Sequence, residues 1–106
     1  MAPRVWGVAP PVTNPRQPYA DAIQAMLDVK AKERGYDNIF TAISYLDDEN
    51  DKYAAEAAAL KAWRSVVWTY SNTELDRVLA AERPQPTVPD FLTELATAAP
   101  FDWPNL

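Results

Sequence analysis

The side chains best placed to do chemistry in this sequence are acidic. Asp47, Asp48, Glu49 and Asp51 crowd one short stretch, with Asn50 among them. Hard cations take oxygen ligands, and alternate positions of a loop can converge on one ion, so calcium is the first chemistry to weigh. The EF-hand pattern requires a glycine at its sixth position and a glutamate at its twelfth. Counted from Asp47 those positions hold Lys52 and Ala58; counted from Asp48 the fifth position is Lys52. The stretch therefore reads as a solvated turn whose last acid caps the helix after it, and no metal is expected there. Ser44, Ser65 and Ser71 are the candidate nucleophiles, but the sequence has no histidine to activate them and no cysteine to replace them. Only Gly7 and Gly35 are available, too few for a phosphate-cradling loop. No two carboxylates are marked as an acid/base pair across a cleft. The expectation is a protein with no catalytic residues, no cofactor and no metal.

Other residues carry recognition rather than reaction. Arg34, Asp37, Glu56 and Arg64 read either as internal struts, with Glu56 and Arg64 each able to reach the loop between helices, or as surface ion pairs of little worth. Four tryptophans and five tyrosines are many for 106 residues. Tyr36, Tyr45, Trp63 and Trp68 fall in or beside the helical centre. Trp63 and Trp68 are five apart, so they do not share one narrow stripe. Trp6, Val8, Phe91, Leu92, Phe101 and Trp103 fall instead in proline-rich flanks, where they either fold back or anchor a partner.

Composition sets the frame. A chain this short makes one small domain. Ten prolines against two glycines suit long helices with extended flanks. The net charge of −5 and the lack of a basic run disfavour nucleic acid and anionic lipid. No stretch resembles a signal peptide or a membrane span, so folding in a reducing cytoplasm is expected.

The elements follow from periodicity. Residues 1–17, with Pro3, Pro10, Pro11 and Pro15, read as an extended arm. A first helix starts near Pro18 and places Tyr19, Ala22, Ile23, Met26 and Leu27 on one face. Lys30, Lys32 and Arg34 lie at its end, with Gly35 as a left-handed cap. Asp37 caps a short second helix carrying Ile39, Phe40 and Ile43, which ends near Tyr45 and Leu46. A long third helix covers residues 51–83, alanine-rich in its first half and weakest at Asn72 and Thr73. Residues 84–106 form a second proline-rich arm in which Thr87 caps a short helix with Phe91, Leu92 and Leu95. The predicted fold is all-α: a hairpin of two main helices with a bridging helix, spanning residues 18–83 and able to fold without its arms. Ile23, Leu27, Tyr36, Ile39, Ile43, Leu60, Trp63 and Val67 are its predicted core.

One pattern goes beyond these rules. Arg34-Gly35-Tyr36-Asp37 leads to Ser44-Tyr45, then to Glu56-Ala57 and Trp63-Arg64-Ser65-Val66-Val67-Trp68. The set resembles a module of small tailed-bacteriophage tail and tail-fibre-associated proteins, over about half the chain. The resemblance implies a structural virion component that links or decorates tail-fibre or baseplate proteins, made in the host cytoplasm and ending in the tail. An assembly chaperone that is not retained is the alternative. The signature residues would be Tyr36, Asp37, Tyr45, Glu56, Trp63, Arg64 and Trp68. The partners would be phage tail-fibre or baseplate proteins, with room for a homo-oligomer.

Overall fold

A computed structural model describes residues 15–105. The proposed N-terminal anchors Trp6 and Val8 lie outside the described residues. Within them the chain is all-α, with four helices in the order α1 (Gln17–Lys32), α2 (Ile39–Ile43), α3 (Asp51–Leu79) and α4 (Val88–Ala98). No helix among the described residues is long and apolar enough to cross a membrane.

α1 buries Tyr19, Ile23, Leu27 and Ala31, one residue per turn. Beyond its end the Gly35 N–H donates to the Lys32 carbonyl at 3.0 Å and the Tyr36 N–H to the Ala31 carbonyl at 3.3 Å. This is a Schellman closure, and Gly35 takes the left-handed position at φ 87°. It turns the chain so that Tyr36 is buried with its hydroxyl on Glu56 of α3.

Two expected caps shift by one residue. Asn38, not Asp37, caps α2: its extended backbone brings Oδ1 within 2.8 Å of the Thr41 N–H. Asp28 reaches across from α1 and accepts from the Ile39 N–H at 3.0 Å, so α2 is capped twice. Asp37 is left exposed. Asn50, not Asp51, caps α3 by accepting from the Lys52 and Tyr53 N–H groups. In both places the amide precedes the first helical residue, and only that position aims its oxygen at the free N–H groups of the first turn. α2 stops at Ile43, short of Tyr45 and Leu46, and the chain continues in turns through Asp47 at φ 63°. α3 passes Asn72 and Thr73 unbroken and stops at Leu79, short of Arg83. Thr87 caps α4 as predicted, accepting from the Asp90 N–H at 3.1 Å.

The main hairpin is antiparallel. Arg16, just before α1, meets Asp76 and Asn72 near the end of α3, while Arg34, just after α1, meets Glu56 near its start. The bridging helix α2 packs on the first half of α3, where Arg64 faces Phe40. α4 lies against both long helices. Phe91 meets Tyr19 edge-on at 5.7 Å and also approaches Tyr70. Trp63 Nε1 donates to the Ala99 carbonyl at 2.8 Å. Residues 84–105 therefore pack onto the helices rather than forming a separable arm. Phe91, Leu95 and Ala99 complete the core that also holds Ile23, Leu27, Tyr36, Ile39, Leu60, Trp63 and Val67. The physical reason is simple: α1 and α3 meet mainly through α2 and α4, and α4 brings the apolar ridge that fills the trough between them. Of the predicted core, only Ile43 sits at the margin, partly buried against the rest.

Candidate functional site

The most structured polar site is built around Glu56. α3 carries it on its core-facing side, one position before the buried Ala57, and it is 1% exposed. A carboxylate so deep requires partners. The Schellman turn after α1 supplies both. Arg34 donates from Nη1 to Oε2 at 2.5 Å, and the Tyr36 hydroxyl donates to Oε1 at 2.7 Å. Burial, with the Glu56 carboxylate next to it, pushes the Tyr36 hydroxyl far above the usual phenol range. Tyr36 is thereby locked as a neutral donor. Tyr45 packs against Tyr36, and Tyr53 against Tyr45, roofing the cluster with rings.

The tail after α4 closes over the same cluster. Phe101 rests on Trp63 with ring centres 5.0 Å apart, and Trp103 meets Phe101 edge-on. The Arg34 guanidinium lies 4.5 Å from the Trp103 ring centre, so it is held between a carboxylate and an indole. Trp103 Nε1 donates to Glu33 Oε1 at 3.2 Å, and this bond, helped by Lys30, holds the Glu33 carboxyl below its usual range. A small polar cleft remains, lined by Arg34, Lys52, Glu56, Pro104 and Asn105. Its one deep acid, Glu56, is already bonded twice.

The sequence-derived signature divides in three. Tyr36, Tyr45 and Glu56 come together in the cluster just described. Trp63 is buried beneath the tail. Arg64 and Trp68 lie on another flank of α3, one turn apart, with Arg64 beside Phe40 and Trp68 partly buried against the core. Asp37 joins none of these groups. Among the proposed partner anchors, Phe91 is corrected outright. It is 0% exposed in the core, so no partner can reach it without opening the fold. Leu92, Phe101 and Trp103 are partly buried against this chain's own core. The strut reading of Arg34 and Glu56 describes what is seen, and Glu56 does reach the loop between helices.

A second network escaped the sequence. Arg83 donates to Glu94 from both Nη atoms at 2.8 Å and to Glu74 at 2.9 Å. The Tyr70 hydroxyl donates to Glu94 as well. Chiefly through Arg83, the Glu94 carboxyl is held down to about 2. Burial beside Glu94 pushes the Tyr70 hydroxyl up to about 12. Only Glu74 and Arg77, three apart on α3, had a spacing that could have flagged this region.

Ser71 is fully buried, with its hydroxyl unpaired among the described residues and no base beside it. Ser44 Oγ donates to the Thr41 carbonyl, a local turn bond. Among the described residues no group of three acidic, histidine or cysteine side chains converges on a common point. Comparison with known protein families, with characterised proteins and with solved structures finds no match.

Proposed function

We propose that this chain is a small structural adaptor of a tailed-phage virion, which links or decorates tail-fibre or baseplate proteins through protein–protein contacts and catalyses no reaction. The observation that carries the reading is the sequence pattern from Arg34 to Trp68, with its resemblance to small tail and tail-fibre-associated proteins. The most chemically capable group fits a structural role, since Glu56 is consumed by Arg34 and Tyr36 rather than left facing a cleft. Under this reading the four-helix domain is a rigid spacer. Contacts to neighbours come from the N-terminal anchors Trp6 and Val8 and from exposed apolar side chains such as Phe40 and Val66. Anchors of that type dominate the energy of protein interfaces.

Mass spectrometry of purified particles tests the proposal. Peptides of this chain at a fixed stoichiometry to tail proteins are the expected result. Peptides abundant in infected cells but missing from purified particles would favour the assembly chaperone. Absence from both would end the phage reading.

A further inference from the structure

Arg64 stands apart from the other described arginines. Arg16, Arg34, Arg77 and Arg83 each hold a carboxylate. Arg64 has neither an ion pair nor a hydrogen bond among the described residues, and its Nε is shielded from solvent with no acceptor. A desolvated donor left unpaired is costly. The Phe40 ring faces the guanidinium, 5.2 Å from its centre. Phe40 is itself 57% exposed, large for an apolar side chain. On an α-helix, residues four, seven and eleven apart return to nearly the same side. Arg64, Trp68, Leu75 and Leu79 follow that spacing, so one strip of α3 runs from this patch to the end of the helix.

The other end of the strip is where the chain preceding α1 arrives. Pro15 lines a shallow depression with Tyr19, Leu75, Val78 and Leu79. Arg16, beside it, is bound to Asp76 and Asn72 of α3. The residues before Pro15 therefore start on the strip. Read back from Pro15, every third residue is apolar: Val12, Ala9, Trp6 and Pro3. The prolines of this segment favour polyproline II, which has three residues per turn, and in that conformation these side chains share one face. Thr13, Gly7 and Arg4 share another, which turns the segment's one charged side chain away from Arg64 and Lys61. The reach also matches. Arg64 lies eleven residues before Leu75 and fifteen before Leu79, roughly 16–23 Å at the rise of an α-helix. Trp6 lies nine residues before Pro15, roughly 28 Å at the rise of polyproline II. Polyproline II makes no internal hydrogen bonds, so its carbonyls are free to supply the acceptor that Arg64 lacks.

We infer that the Phe40–Arg64–Trp68 strip is the seat of this chain's own segment from Trp6 to Asn14, with Val12 along Trp68 and Trp6 packed on Phe40 and Arg64. A tether this short sets an effective concentration on the order of millimolar, so a contact too weak to hold a separate peptide is still filled. Nothing in this docking depends on the phage assignment. Within the adaptor reading the docked segment is a rest position, which Trp6 leaves to meet a neighbour.

Paramagnetic broadening in the full chain tests it. The sequence has no cysteine, so Ser65→Cys places a single nitroxide at the exposed position next to Arg64. Thr97→Cys, exposed on α4, is the control. The probe is the Trp6 indole N–H signal, identified by its loss in Trp6→Phe. The label at position 65 should broaden that signal several-fold more than the label at position 97. Phe40→Ala, at an exposed site and with its helices checked by circular dichroism, should remove most of the difference. A Trp6 signal that both labels affect equally overturns the inference, and so does broadening that Phe40→Ala leaves unchanged. In a mixture of labelled chains with isotope-enriched unlabelled ones, the unlabelled Trp6 should stay sharp. Broadening there would make the occupant another copy's segment and overturn the docking within one chain.

Discussion

Two carboxylates in this molecule are each held by an arginine and a tyrosine, yet they are built on different terms. Glu56 is sealed inside, with Arg34 and Tyr36 brought to it by one turn of backbone. Glu94 sits at the surface of the α3–α4 seam, where Arg83 and Tyr70 share it with Glu74 nearby. The first cluster buries its acid almost completely, while Arg34 reaches a cleft that Lys52 also lines. The second is a network open to water, so loss of a member can be made good by solvent. The same three residue types therefore yield a rigid lock in one place and an adjustable clasp in the other.

Removing α4, which carries Glu94, should dissolve the distinction altogether. A chain ending at Arg83 loses Phe91 and Leu95, each contributing roughly 1.5–3 kcal/mol by burial. It also uncovers Tyr19 and Trp63, which α4 and the tail cover. A domain of this size has only about 5–15 kcal/mol in total. The shortened chain should show little cooperative unfolding in a thermal melt. A cooperative transition near the full-length midpoint would return α4 to the status of an accessory arm.

Next comes the lock itself. Arg34→Ala leaves the buried Glu56 carboxylate uncompensated on one side and should cost about 3–5 kcal/mol in denaturant unfolding. Replacing both members, Arg34→Met with Glu56→Leu, should recover most of that loss, since an apolar pair of similar volume needs no solvation. If Arg34→Ala costs no more than a surface change, water reaches Glu56 and makes good the loss.

The clasp should respond more gently, and to pH. Arg83→Ala should cost about 1 kcal/mol, as partly exposed ion pairs do. The folded Glu94 carboxyl lies at about 2, below its ordinary unfolded value near 4.5. Its stabilisation is therefore complete above about pH 4.5 and is lost as pH falls toward 2. Glu94→Gln should flatten that part of an acid-unfolding curve. An unchanged acid limb would show that Arg83 and Glu94 do not hold each other in solution.

The same contrast explains what the sequence disclosed. The lock was partly legible, because Arg34, Gly35 and Tyr36 lie in one turn and Glu56 heads an alanine-rich helix that had to pack against it. The helices, the left-handed Gly35 and the Thr87 cap were readable for similar reasons: each is set by neighbours within a few residues. The clasp was not legible, since Arg83 and Glu94 meet only after a loop whose path depends on where α4 docks. Docking also decides the fate of Phe91. Its apolar face was visible in the sequence, but whether that face meets this chain or another depends on the trough between α1 and α3. The caps at Asn38 and Asn50 were missed by one residue because an acid stood beside each amide, and spacing alone does not choose between them.

A smaller difference separates the two long helices at their ends. α1 and α3 both finish in a Schellman closure. After α3 the Ala81 N–H donates to the Val78 carbonyl at 3.0 Å and the Glu82 N–H to the Arg77 carbonyl at 2.8 Å. At the left-handed position α1 has Gly35, whereas α3 has Ala81 at φ 60°. A Cβ there crowds the backbone and costs about 1 kcal/mol, which glycine avoids. Against this, glycine enlarges the freedom of the unfolded chain, which offsets part of the gain. Ala81→Gly should therefore stabilise the protein by a few tenths of a kcal/mol up to about 1. The opposite exchange, Gly35→Ala, should destabilise it. An added Cβ at Gly35 meets nothing within 4 Å, so the penalty there is conformational and not steric crowding by neighbours. Urea unfolding of the two single variants and the double swap measures both signs. If Ala81→Gly lowers the midpoint, the left-handed turn after α3 is not held in solution, and Arg83 reaches Glu94 by another path.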